Sequence, residues 1–77
     1  MFDYNICTQA DDDLFERQCD LIKKIPGITL IKELEDVTGT KRRIFAHPSG
    51  NVTVVNDRYI DALYAQSEFD LLPYFHK

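Results

Sequence analysis

No apolar run in these 77 residues approaches the roughly 20 consecutive residues that a membrane-spanning helix needs. The opening stretch MFDYNICTQA lacks the basic start and the apolar core of a secretory signal. The chain is therefore expected to be soluble and cytoplasmic, with no membrane partner. Cysteine is scarce: Cys7 and Cys19 fit neither CxxC nor zinc-ribbon spacing, and two histidines do not complete a ligand set. Both cysteines read as thiols, and no metal or cofactor is implied. The three glycines each fall at a turn, which leaves none for a phosphate-cradling loop. There is also no HExxH helix, nucleophile elbow or Cys/His dyad at a known spacing. Positive charge is in the minority, nine Lys and Arg against thirteen Asp and Glu for a net charge of −4. The overall field repels phosphate backbones, so nucleic acid is not the expected partner.

What is present describes a folded unit. Hydrophobic residues make up 44% and aromatic residues 12% of the chain, which is above the disordered range. Residues 1–77 form one globular domain, because a core of this size cannot be divided and still offset chain entropy. The margin of so small a core is thin, so a partner or a second copy can contribute stability, and a homodimer stays open. Charge is separated along the chain. Asp3, Asp11, Asp12, Asp13, Glu16 and Asp20 face Arg17 alone in the first twenty residues, whereas Lys32, Lys41, Arg42 and Arg43 follow later.

Periodicity supplies the elements. Phe2, Tyr4 and Ile6 alternate with polar residues as in a short edge strand over 2–8. Thr8 followed by Asp11 is a capping pattern that starts a helix. From Ala10 to Lys24, Phe15, Cys19 and Ile22 form one stripe and the charged residues take the other side. Pro26 and Gly27 end it. Residues 28–35 read as a half-buried strand with Ile28, Leu30 and Leu34 on one face. The turn 36–40 and the hairpin formed by 41–47 and 52–55 follow, the latter closed by Pro48, Ser49, Gly50 and Asn51. Either Ile44 or Phe45 can mark the core side. Tyr59, Ile60, Leu63 and Tyr64, preceded by Asn56 or Asp57 as a cap, have the spacing of a second helix. Ser67 and Asp70 announce a last helical turn, stopped by Pro73, and the tail from Pro73 to Lys77 is expected to fold back or, at His76, to be mobile. The expected fold is α+β, a single-layer antiparallel sheet of three or four strands packed against two helices, with the other sheet face partly open.

The chemistry this pattern offers is modest. His47 has the pKa class suited to acid–base work, but its place before a proline turn fits a capping role. Lys41, Arg42 and Arg43 suit an anion or a charged, aggregation-resistant strand. Glu33 and Glu35 share a strand face, with nothing to raise their pKa.

Phe45, His47, Pro48 and Gly50 together resemble the F-x-H-P-x-G turn of the HicA-type RNA-cleaving toxins, over 21–55 at most. That resemblance implies the order helix, three strands, helix and an RNA-directed role using Arg42, Arg43 and His47. Where that family carries Gly-Ser-His, this chain reads Gly39-Thr40-Lys41-Arg42, so a shared fold would imply an inactive relative.

The expected function is that of a small acidic protein without enzymatic activity. It would bind another protein, for instance a nucleic-acid-binding one, and inhibit or regulate it, as inhibitors, antitoxins, immunity factors and anti-defence proteins do. The contact residues would be Asp12, Asp13, Glu16 and Asp20 toward a basic surface, with Arg42 and Arg43, and with Tyr59, Tyr64, Tyr74 or Phe75 as aromatic anchors. An RNA-binding or RNA-cleaving module and a homodimeric structural protein are the alternatives.

Overall fold

Asp11 begins the helix: its side chain accepts a hydrogen bond from the Leu14 backbone N–H at 3.0 Å, which satisfies one of the free donors of a first helical turn. The cap is thus Asp11 and not Thr8. The structure, a computed structural model, describes residues 2–75, apart from the side chain of Phe75. The expectations for His76 and for Phe75 as an anchor lie outside the described residues. In chain order the elements are β1 (Phe2–Cys7), α1 (Asp12–Lys23), β2 (Thr29–Glu35), β3 (Lys41–His47), β4 (Gly50–Asp57), β5 (Ala62–Ser67) and the four-residue α2 (Leu72–Phe75). All strand pairs are antiparallel and the sheet order is β1-β5-β4-β3-β2.

This corrects the expected fold class. The sheet has five strands, and only one long helix covers it. The segment read as a second helix is a turn followed by β5. The Asp57 carboxylate does accept from the backbone N–H groups of Tyr59 and Ile60, at 2.9 and 3.2 Å, as a helix cap would. Those bonds also close an Asx turn, and Asp61 at φ 54° then reverses the chain. Residues 62–67 alternate as well as they spiral: Leu63, Ala65 and Ser67 are buried, and the residues between them are not. A strand there completes the ladder of β4, and tertiary pairing outweighs local helical spacing. The helix that the HicA-type resemblance implies after its third strand is absent for the same reason. Pro73, expected to stop a helical turn, sits inside α2, where a first-turn residue has no intrahelical N–H bond to lose.

Because β1 and β2 lie at opposite edges, the chain between them has to cross the sheet, and α1 does so over the central strand β4. Its stripe of Phe15, Cys19 and Ile22 meets Phe45, Val52, Val54, Leu63 and Ala65, with Ile25 and Leu71 closing the sides. Phe45, not Ile44, therefore marks the core side of β3. Cross-strand rows define the two faces. Glu33, Arg43, Val54, Ala65 and Tyr4 form one row beneath the helix, and Leu34, Arg42, Val55, Tyr64 and Asn5 form one on the uncovered face. A register shift between Leu30 and Lys32 moves Leu34 to the uncovered face, although Leu30 stays under the helix. A bulge inserts one residue and so breaks the period of two on which a shared face depends.

Candidate functional site

Arg43 projects from β3 beneath the first turns of α1 and is the most engaged cation among the described residues. Its guanidinium donates two hydrogen bonds to Glu16, at 2.7 and 2.8 Å. Its Nε lies 3.1 Å from Glu33, and its plane sits 4.9 Å from the Phe15 ring centroid. Fork geometry of this kind needs arginine specifically. The Glu16 carboxyl is held below its ordinary range, first of all by the hydrogen bonds from Arg43. One turn earlier, Asp12 lies 2.9 Å from Arg58 and 3.8 Å from Lys41, which also approaches Glu35 at 3.9 Å. The Asp12 carboxyl is likewise lowered, chiefly by its hydrogen bond from Arg58.

Two of the four helix acids read as a partner-binding patch, Asp12 and Glu16, are therefore tied to the protein's own sheet. Asp13 and Asp20 are exposed and take no part in these pairs. Arg43, read as a contact residue, serves inside. Arg42, one position away on the alternating strand, points to the uncovered face and is in none of the ion pairs among the described residues.

The uncovered face carries Leu34 (41% exposed) of β2, Ile44 and Arg42 of β3, Thr53 and Val55 of β4 and Tyr64 of β5, and Ile31 (55%) stands exposed at the β2 bulge. Val55 is only 2% exposed although no helix lies over it. Its cross-strand neighbours on this face are Arg42 and Tyr64. Long stems and aromatic rings on a strand reach such neighbours across the ladder. Lys32 adds a second cation to this face beside Ile44. Glu33, paired with Arg43, lies on the helix side. Tyr59 is 85% exposed at the tip of the β4–β5 turn, remote in register from Tyr64.

His47 is occupied. Its Nδ1 accepts from the Ser49 backbone N–H at 3.0 Å, so its Nε2 carries the proton and donates to the Pro26 carbonyl at 3.0 Å. The ring stacks on Phe69 with centroids 4.6 Å apart, and Tyr74 meets both rings edge-on. It joins two turns, and both ring nitrogens are committed to backbone groups. Burial pushes the Cys19 thiol up, and Cys7 and Cys19 are both free. Among the described residues no three His, Cys, Asp or Glu side chains gather as a metal site would require, and no helix is long and apolar enough to cross a membrane. A shallow groove of about 280 Å³ runs between Phe15 and β2, lined by Glu33, Glu35, Lys41 and Arg43, which already pair with one another or with α1, and by Leu34 and Arg42 at its outer rim.

Asn56 holds a role that reading the residues alone does not reveal. Its side chain is fully buried, accepts from the Asp11 backbone N–H at 2.9 Å and donates to Asp12 at 2.9 Å. It pins the start of α1 to β4. A lone asparagine inside a β-branched run was the only available signal.

Comparison of the chain with known protein families, with curated proteins and with solved structures finds no match.

Proposed function

We propose that this protein works by binding another protein and occluding or regulating it, without chemistry of its own, and that the uncovered sheet face is the surface it uses. One observation carries this: a face with no helix over it presents Leu34 and Tyr64, with Ile31 exposed at the adjoining bulge, beside two cations, Lys32 and Arg42, that are in none of the ion pairs among the described residues. Tyrosine and arginine surrounded by aliphatic side chains are the composition of interface hot spots. These cations select a partner that presents carboxylates among apolar groups. The opposite side, with Asp13 and Asp20 outward, gives the molecule a charge asymmetry that orients the encounter. The expected approach of helix acids to a basic surface has less support, because Asp12 and Glu16 are engaged at home.

The test is a photo-crosslinking residue placed at Tyr64 and, separately, at Asp20, in the native host. A discrete protein adduct from position 64, resistant to nuclease and lost with Arg42→Glu, is the expected result. Adducts with nucleic acid alone would replace this function with an RNA-directed one, and protein adducts from position 20 alone would move the interface to the helix.

A further inference from the structure

The two sheet edges differ in what they admit. β2 exposes Lys32, Glu33 and Glu35, the charged side chains that keep edges from pairing. A two-fold axis at Lys32 or at Glu33 would set like charges opposite each other. β1 carries one charge, Asp3, and no lysine or proline among Phe2-Asp3-Tyr4-Asn5-Ile6-Cys7. Its register shift falls between Asn5 and Cys7, so residues 2–5 keep the regular period of two, and Ile6 at the shift still packs toward the core. Among the described residues no strand lies beside its outer row of backbone N–H and C=O groups.

Two copies of one edge strand paired antiparallel are related by a two-fold axis perpendicular to the sheet. The numbers of facing residues then have a constant, even sum, and each face continues as the same face. Centred on Tyr4, this register sets Phe2 against Ile6 of a second copy, Asp3 against Asn5, and Tyr4 against itself. Character matches at every pair. Tyr4 and Ile6 pack toward the core side, and Phe2 shares that side through its pairing with the buried Ser67, so apolar meets apolar there. Asp3 and Asn5 point to the uncovered face, both exposed and neither in a side-chain hydrogen bond among the described residues. An amide opposite a carboxylate donates to it, and the symmetry makes that contact twice. Phe2, 44% exposed, gains cover from Ile6.

We propose that the chain forms a two-fold homodimer through β1, joining two five-stranded sheets into one, in the register Phe2–Ile6, Asp3–Asn5, Tyr4–Tyr4. The contact is one strand wide, so it belongs to the weak, concentration-dependent class of interfaces.

Sedimentation velocity from micromolar to millimolar concentration tests it, with circular dichroism confirming that each variant is folded. Wild type shifts from monomer to dimer across this range. Asn5→Lys places a cation opposite Asp3 at both symmetric positions and tightens the dimer roughly fivefold, and Asn5→Asp opposes two carboxylates and weakens it by a similar factor. Asp3→Lys combined with Asn5→Asp inverts the pair and restores dimerisation. Asn51→Lys and Asn51→Asp, which make the same net charge changes at an exposed position on β4, leave the constant unmoved. A monomer at every concentration overturns the proposal. So does a response to the Asn51 variants equal to that of the Asn5 variants, or failure of the charge swap to restore pairing. None of these outcomes bears on the protein partner of the uncovered face.

Discussion

Arg43 holds helix to sheet with a side chain only 18% exposed, between carboxylates that are 52% and 58% exposed. Solvent weakens both pairs, so the expected cost of Arg43→Ala is about 1–2 kcal/mol in urea unfolding, part of it lost contact with Phe15. Arg43→Lys should recover less than half, since an ammonium cannot make the fork. Asn56 is the more severe position. Asn56→Leu strands the Asp11 N–H and should cost about 1–3 kcal/mol. Asn56→Asp should be worse at neutral pH than in acid, because it places a second carboxylate against Asp12. The acids also set a pH profile. Asp12, Glu16 and Asp36 all have carboxyls lowered on folding, the last mainly by the Thr38 hydroxyl. A lowered folded pKa means that the stabilisation is complete above the unfolded value and is lost as pH falls through the folded one. The urea midpoint should be level from neutrality down to about pH 5 and decline below about pH 4, and Glu16→Gln should make the decline shallower.

Among the elements, those fixed by local chemistry were legible in the sequence and those fixed by pairing were not. Helix α1 showed itself through the stripe of Phe15, Cys19 and Ile22, and the β3–β4 hairpin through Pro48 and Gly50. The hairpin turn depends on that glycine: at φ 141° an added Cβ would lie 2.6 Å from the Glu68 Cβ. Gly50→Ala should therefore cost about 1–3 kcal/mol, measured by thermal unfolding. The stretch 57–67 misled because an aspartate cap starts a helix and an Asx turn with the same bonds, and Leu63 and Tyr64 satisfy both periods until β4 is there to pair with. The face of Leu34 was hidden by the bulge near Ile31, which no residue type announces. The site was legible to the same extent. Alternation separated Arg42 from Arg43, but the internal use of Asp12, Glu16 and Arg43 depends on where α1 crosses, which spacing along the chain does not encode.

At the scale of the molecule, one long helix on one side of five strands leaves the other side without a helix over it, and a core this small makes every edge matter. β1 belongs to that core: the Tyr4 hydroxyl accepts from the Leu71 N–H at 2.8 Å and donates to Asp70 at 3.0 Å. Deletion of residues 1–7 should abolish cooperative thermal unfolding by circular dichroism, and a sharp transition retained without them would show that β2–β5 and α1 suffice. Among the described residues β1 pairs only with β5, the most distant strand along the chain. On the ribosome it must wait, unmatched, until β5 has emerged, so the native sheet closes only once all the intervening strands have been made. A nascent chain halted before residue 62 would leave no smaller working version, only a target for proteolysis.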